Sequence, residues 1–160
     1  MKFGKEEVWA GLRIVLGWTF IWAFLDKLFG LGFATEPAKS WLAGGSPTSG
    51  YLQFATKGPL AGFFQSLAGQ AAVDWLFMVG LLCMGAALIL GISSRLAGYA
   101  GATLMLLMWV SALPPANNPI IDEHIIYALV LIGIARLNAG QWYGYGKEWA
   151  KFARKYPIIA

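Results

Sequence analysis

The amino-acid sequence predicts an all-α fold of the polytopic membrane class, a bundle of four transmembrane helices with further interfacial helices. Of the 160 residues, 58% are hydrophobic and only 12% are charged, and the mean hydropathy is +0.60. So few charged residues cannot cover the water-facing surface of a soluble domain. The apolar residues also collect into four runs, each about the length needed to cross a hydrocarbon core of roughly 30 Å. We therefore expect one membrane domain over residues 1–160.

Charge and cysteine usage exclude several classes of function. The formal charge of +4 is modest and no basic stripe is interleaved with aromatic residues, so no nucleic-acid partner is expected. The single cysteine, Cys83, rules out an intrachain disulfide and a cysteine-rich cluster. It falls near the middle of the second apolar run, where a small packing role is favoured. With one histidine as well, no haem, iron–sulfur or zinc site is expected.

The first apolar run, Val8 to Phe29, predicts a spanning helix. A secretory signal would have a shorter apolar core and a cleavage site of small residues. This run instead carries three ionisable residues within it, namely Arg13, Asp26 and Lys27. We therefore expect the helix to be retained in the membrane.

The second and third runs, Val73 to Gly91 and Leu96 to Leu113, predict a tight helical hairpin because only four residues separate them. Small residues recur four apart in each run near the turn, a pattern that lets two helix backbones approach closely. We therefore expect close packing between these two helices, through Ala87, Gly91, Ala97 and Gly101.

The fourth run, Ile121 to Leu137, predicts the last spanning helix. Pro114 and Pro115 end the third helix, and Pro119 delays the next one, because proline cannot continue a helix interior.

The distribution of basic residues predicts the orientation in the cell membrane. When the runs are laid end to end, eight basic residues fall on one side, whereas Lys39 and Lys57 fall on the other and Lys27 lies at its border. The positive-inside rule then places both termini in the cytoplasm and the long segment 30–72 outside. The eight are Lys2, Lys5, Arg95, Arg136, Lys147, Lys151, Arg154 and Lys155.

Two shorter stretches have the pattern of helices lying on the membrane surface rather than spanning it. In the outer segment, a helix opening at Pro59 would place apolar residues on one face, although a plain loop is the alternative. Near the C-terminus, an apolar stripe alternates with cations, which suits an anionic leaflet, although a partner protein is the alternative. The first stripe is Leu60, Phe63, Phe64 and Leu67, and the second is Trp149, Phe152, Ala153 and Tyr156.

Ionisable residues inside membrane spans are costly and are therefore candidates for function. Arg13 either extends its stem to the headgroups or binds a substrate. The outer ends of the helices collect Asp26, Lys27, Asp74 and the run Asp122, Glu123 and His124. His124 is the only histidine and can exchange protons near neutral pH, with Tyr127 on the same helix face. The alternative is that these carboxylates only cap helix ends.

The outer segment also contains a turn rich in glycine and hydroxyl residues, reading WLAGGSPTSG over residues 41–50. Glycines free the backbone and hydroxyls offer donors, so Gly45, Ser46 and Thr48 are candidates for binding an oxyanion. Such sequences are also ordinary turn chemistry.

Three segments together resemble the DoxX/DoxD-like membrane proteins, which have four predicted spans. The first span has Gly11, Leu12, Arg13, Leu16, Gly17 and Phe20 followed by Lys27. The other two segments are the turn at residues 41–50 and NNPIIDEHIIYALVL at residues 117–131. The resemblance covers most of the chain. Its best-known branch, DoxD, is a subunit of a thiosulfate:quinone oxidoreductase.

The resemblance implies a redox role in which a small sulfur anion such as thiosulfate passes electrons to membrane quinone. His124, Asp122, Glu123, Asp26 and Lys27 would then be the catalytic candidates. Trp75, Trp109 and Tyr127 would flank the quinone ring, while Arg13 and the turn would bind the anion.

The expected partners are the lipid bilayer and either a second redox subunit or further copies of the chain. The carboxylates would repel a dianion unless they are paired or protonated, and no DoxA-type subunit is evident in the sequence. The alternative function is therefore a non-catalytic scaffold, an assembly factor, or a bundle that binds a small solute or lipid.

Overall fold

The computed structural model describes residues 4–116 and 118–155, all of whose regular structure is helical. Lys2, Asn117 and Tyr156 lie outside the described residues, as does the side chain of Lys155. The helices are α1 (Lys5–Phe29), α2 (Ser49–Phe54), α3 (Ala61–Ser66), α4 (Ala71–Leu90), α5 (Ser94–Ser111), α6 (Glu123–Arg136) and α7 (Gly146–Phe152).

The four long helices expected from the apolar runs are confirmed as helices, close to the predicted bounds. Glycine ends two of them, because it adopts the left-handed conformation that closes a helix C-terminus at no steric cost. Gly30 follows α1 with φ of +67° and Gly91 follows α4 with φ of +75°. Asp122 begins α6, where its side chain accepts the backbone N–H of His124.

The long helices form two closely packed pairs, α1 with α4 and α5 with α6. Glycine makes both contacts close. A methyl group on Gly17 of α1 would lie 2.9 Å from the backbone nitrogen of Ile89 in α4. A methyl group on Gly98 of α5 would lie 2.7 Å from the carbonyl oxygen of Leu131 in α6. Small residues thus allow the backbones within each pair to approach each other.

The expected close packing between the hairpin helices α4 and α5 is wrong. The atoms that a side chain on Gly101 would meet belong to Leu131 of α6 and Phe20 of α1, and those near Gly91 include Gly140 and Arg13. The small residues therefore serve contacts with other elements, and α4 and α5 contact each other much less extensively than the paired helices do. A groove remains between them.

The hydrophobic core lies between the two helix pairs. Leu88, Leu131 and Ile134 are completely buried there, and Phe20 and Leu81 are nearly so. Cys83 is not part of this core, because its side chain is exposed on the outer surface of α4. The small apolar packing role expected for Cys83 is therefore not a role in this core.

Among the described residues, two helices are long and apolar enough to cross a membrane, α1 and α4. The other two fall short for different reasons. With 14 residues, α6 is about 21 Å long, which is less than a hydrocarbon core of roughly 30 Å. The 18 residues of α5 include the polar residues Arg95, Tyr99 and Thr103. Four spans therefore stay a prediction.

The two surface segments are helical, as predicted, but the apolar face of the first differs from the prediction. In the outer segment, Pro59 lies in a turn and α3 begins at Ala61. The predicted stripe divides, because Phe64 is buried whereas Phe63 is 61% exposed. Near the C-terminus, α7 places the Trp149 and Phe152 rings in contact, with centroids 5.5 Å apart.

We predict that Gly98→Leu destabilises the protein, because the new side chain must displace the backbone of α6. Overpacking of this kind costs about 1–3 kcal/mol. Thermal unfolding in detergent measures the change. The matched control is Gly11→Leu on α1, where nothing lies within 4 Å of the added Cβ. Equal melting temperatures for the two variants would contradict the close α5–α6 contact.

Candidate functional site

The glycine-rich turn is attached to the start of α4 by the carboxylate of Asp74. One oxygen, Oδ1, accepts the Ser46 hydroxyl at 2.8 Å, the Thr48 hydroxyl at 2.6 Å and the Thr48 amide at 3.3 Å. Gly45 is needed for a different reason, since a methyl group there would collide with the Lys39 carbonyl oxygen. The donors expected to hold an external oxyanion are therefore occupied by an internal carboxylate.

Asp26 has a similar internal role at the end of α1. Its side chain is 2% exposed and accepts the backbone amides of Phe33 at 3.2 Å and Ala34 at 3.0 Å. These bonds hold the chain as it turns away from the helix. Asp26 therefore stabilises the loop and is not presented to a ligand.

A long apolar groove separates α4 from α5, with a volume of about 640 Å³. Each wall is a stripe at helical spacing, which places its residues on one helix face. Phe64 and Leu67, at the end of α3, close the outer part of the groove. The α4 wall is Val73, Leu76, Phe77, Gly80 and Met84, and the α5 wall is Ala100, Thr103, Leu104, Leu107, Met108 and Ser111.

The outer end of this groove is polar, and Lys27, Thr48, Tyr51 and Ser111 line it. The Tyr51 hydroxyl donates to the Met108 carbonyl at 3.2 Å and lies 2.9 Å from the Ser111 hydroxyl. Burial raises the pKa of Tyr51, the hydrogen bond with Ser111 partly offsets the rise, and the negative charge of Asp122 adds to it. The phenol therefore stays protonated at neutral pH and remains a hydrogen-bond donor.

Lys27 is the charged group of the groove. Its side chain is half-buried, and among the described residues no carboxylate lies within salt-bridge distance of its ammonium. The neighbouring Asp26 is held by the loop amides instead. Lys27 thus offers unused hydrogen-bond donors at the polar end of an apolar groove.

A second cavity, also of about 640 Å³, lies at the start of α6 and contains the predicted histidine. The Nδ1 atom of His124 lies 2.9 Å from Oδ2 of Asp122, and both side chains are largely buried. Asp122 therefore caps α6 and orients the histidine ring at once. Such a carboxylate–histidine pair fixes the imidazole tautomer and leaves the other ring nitrogen for proton exchange. Lys57, Asn118 and Glu123 also line this cavity, called the outer cavity below.

The predicted outer cluster is therefore divided between two cavities and does not meet in one cleft. Helix α2 lies between them: Tyr51 and Leu52 line the groove, whereas Ala55 lines the outer cavity. The backbone amide of Lys57 holds this segment to α5 by donating to the Ser111 carbonyl at 2.8 Å. The two cavities thus share the wall formed by α2 and the end of α5.

The three aromatic residues expected to flank a quinone ring do not line the groove. Trp75 is 61% exposed and contacts Trp41 edge-on, with centroids 4.6 Å apart. Trp109 donates its indole N–H to the Ile120 carbonyl at 2.8 Å, and Tyr127 is 38% exposed. The groove uses Tyr51, Phe64 and Phe77 instead. The apolar residues of both walls recur at i, i+3 and i+4 in the sequence, which predicts one apolar face on each helix. The same spacing is typical of residues packed in a core, so it does not distinguish a groove from a core.

The model of the DoxX family matches residues 8–113, which is well over half of the chain. The chain belongs to the DoxX family. The match includes both walls of the groove and Lys27, and it ends before Asp122 and His124. No curated protein and no solved structure matches the chain.

Arg13 of this DoxX-family protein lies at the opposite end of the bundle, away from the substrate residues with which it was grouped. Its side chain is completely buried. Nη1 donates to the carbonyls of Leu88 and Ile89, and Nη2 donates at 3.1 Å to those of Trp142 and Tyr143. Arg13 satisfies free carbonyls at the end of α4 and in the segment after α6. It neither reaches the headgroups nor faces either cavity, so we correct its assignment from substrate binding to structure.

We predict that Arg13→Met lowers stability by about 3 kcal/mol or more, because several carbonyls lose their partner in a buried place. Arg13→Lys recovers only part of this loss, since an ammonium cannot reproduce the planar fork. Denaturant unfolding in detergent measures both. The control is Arg95→Met, which removes an exposed guanidinium. An Arg13→Met variant as stable as the control would contradict this role.

Proposed function

We propose that this DoxX-family membrane protein binds an isoprenoid quinone in the groove between α4 and α5 and acts as a redox subunit. The observation that carries the proposal is the groove itself, which is apolar along its length and polar at one end. A quinone has the matching shape, with a long apolar tail and a head that carries oxygen acceptors. The resemblance to the DoxD branch supplies the redox part of the proposal.

The dimensions and the donors fit this ligand. From Val73 to Met84 the α4 wall extends about 16 Å at 1.5 Å per residue, which gives the tail an apolar surface. At the polar end, the Lys27 ammonium offers its donors and the protonated Tyr51 hydroxyl offers one in exchange for its bond to Met108. Donors directed at carbonyl oxygens orient a ring and favour its reduced state, in which more negative charge resides on the oxygens.

The outer cavity is the proposed entry for the electron donor, a small sulfur anion such as thiosulfate. Joining two thiosulfate ions through a new S–S bond releases two electrons, and reduction of one quinone consumes those electrons and two protons. The His124–Asp122 pair is placed to exchange protons at that cavity. The second redox subunit and the sulfur substrate both rest on the family resemblance.

A specific observation favours the alternative, a non-catalytic scaffold, assembly factor or lipid-binding bundle. Asp26, Asp74 and Asp122 all bond to backbone amides, as helix-end residues do in proteins without catalytic function. A scaffold or an assembly factor would not need a filled groove, whereas a lipid-binding bundle would. Quinone binding therefore separates the proposed function from a scaffold or an assembly factor.

We also propose that α5 and α6 cross the bilayer beside α1 and α4, with both chain ends cytoplasmic. Each of these helices is packed in the same bundle as the two apolar ones. The contacts of Arg13 with Trp142 and Tyr143 support termini on one side, since they join the first third of α1 to the segment after α6. The excess of basic residues at that end supports a cytoplasmic location.

We predict that Gly80→Leu abolishes quinone binding by filling the groove. The nearest atom to a Cβ on Gly80 is the Met84 methyl carbon at 3.8 Å, so the new side chain enters open space without a clash. Helix propensity also improves by up to about 1 kcal/mol, so the variant is expected to fold. Titration of the purified protein in nanodiscs with a short-chain quinone, followed by tryptophan quenching, measures binding.

Gly11→Leu is the matched control, because it adds the same side chain to an exposed helix position outside the groove. We expect it to bind quinone like the unchanged protein. Saturable binding that survives Gly80→Leu would place the quinone elsewhere. An absence of saturable binding in the unchanged protein would favour the scaffold.

The topology predicts opposite labelling of two exposed positions. In a Cys83→Ala background, Gln53→Cys on α2 should react with an impermeant maleimide added to intact cells. Lys147→Cys on α7 should react only after the membrane is opened. Both residues are exposed in the bundle, so access depends on the side of the membrane. Labelling of Lys147→Cys in intact cells would contradict the cytoplasmic position of α7.

A further inference from the structure

Among the described residues, no carboxylate forms an ion pair with Lys27, although the negative charge of the neighbouring Asp26 acts on its ammonium. The carboxylates of Asp26 and Asp74 are hydrogen-bonded to other groups: Asp26 accepts two loop amides, and Asp74 accepts the Ser46 and Thr48 hydroxyls. The described residues contain two salt bridges, Lys39–Glu36 and His124–Asp122, and neither involves Lys27. The remaining polar neighbours, Tyr51 and Ser111, are neutral hydroxyls.

An ammonium that is partly removed from water and has no ion-paired or hydrogen-bonded partner is unfavourable. A neutral ligand oxygen relieves only part of this cost, because it carries a partial charge. A ligand oxygen with a full negative charge relieves more, and the attraction is stronger beside apolar walls than in water. The groove is thus electrostatically matched to an amphiphile with an anionic head.

We infer that Lys27 determines the specificity of the groove, by selecting quinones whose head carries an ionised ring oxygen over quinones whose head is neutral. The inference rests on the proposed function, since it concerns the ligand of that groove. In a redox cycle, such selectivity means tighter binding of the form with more negative charge on its oxygens. Lys27 then determines which redox form of the quinone the protein binds more tightly.

The test compares two probes of similar size, 2-hydroxy-1,4-naphthoquinone, which is ionised at neutral pH, and 2-methyl-1,4-naphthoquinone, which is neutral. Nanodiscs of zwitterionic lipid avoid attraction by the membrane surface. Binding is measured by quenching of the tryptophans, of which the chain has 8. The informative quantity is the ratio of the two affinities, because a general disturbance of the groove changes both.

We expect the unchanged protein to prefer the anionic probe. Lys27→Gln should reduce the preference about tenfold, and Lys27→Arg should retain most of it. Lys39→Gln is the matched control, because Lys39 is exposed, lies in the outer segment and is paired with Glu36 at 3.0 Å. We expect this variant to keep the preference of the unchanged protein.

The outcomes separate this inference from the proposed function. If both probes bind to the groove and Lys27→Gln leaves their ratio unchanged, the inference is wrong while quinone binding stands. If neither probe binds saturably to the unchanged protein, the proposed function fails first. If Lys27→Gln and Lys39→Gln lower the ratio of the two affinities equally, the preference comes from surface charge in general. That result would also overturn the assignment to Lys27.

Discussion

The close contact within the two helix pairs is the constraint on which the rest of this bundle depends. Because Gly17 has no side chain, the backbones of α1 and α4 can contact each other directly, and Gly98 allows the same contact between α5 and α6. A helix that uses one face for such a close contact has only its other faces left to contact the core and the surroundings. Because α4 and α5 each have their closest partner elsewhere, the faces they turn toward each other remain apart, and the groove between them is the result.

The same bundle satisfies most of its buried polar groups internally. Arg13 serves carbonyls at one end, whereas Asp26 and Asp74 serve amides and hydroxyls at the other. In an apolar environment an unsatisfied polar group is costly, so internal pairing is the expected outcome. Lys27 departs from this pattern, because among the described residues no carboxylate forms an ion pair with it.

The sequence predicted the long helices well because the signals for them are local. Apolar runs, Gly30 and Gly91 at helix ends, and Pro114 before the last helix act within a few residues. It failed for helix partners, since a small residue at regular spacing shows that something packs closely without showing what. The short turn before α5 predicted that Gly101 packs against α4, but its contacts are with α1 and α6.

The candidate site was predicted in part, for a related reason. Helix ends predict that Asp26, Asp74 and His124 share one level of the bundle, but the direction of each side chain depends on tertiary hydrogen bonds. Those bonds turned two carboxylates inward and left the His124–Asp122 pair at a cavity of its own. Tyr51 was missed altogether, because its importance comes from Ser111, which is 60 residues away in the chain.

The two cavities lie on either side of one short helix. This arrangement gives a physical basis to the proposed passage of electrons from a donor in the outer cavity to a quinone in the groove. Helix α2 contributes Tyr51 to the groove, and Ala55, the residue after the helix, lines the outer cavity, so a ligand in one is separated from a ligand in the other by little more than this wall. The charge of Asp122 already acts on the Tyr51 phenol across it. A change of charge at the outer cavity therefore alters the electrostatic field at the Tyr51 hydroxyl, which lines the groove. A scaffold without ligands would need neither the His124–Asp122 pair nor the half-buried Tyr51 phenol on opposite sides of one wall, whereas the proposed function uses both.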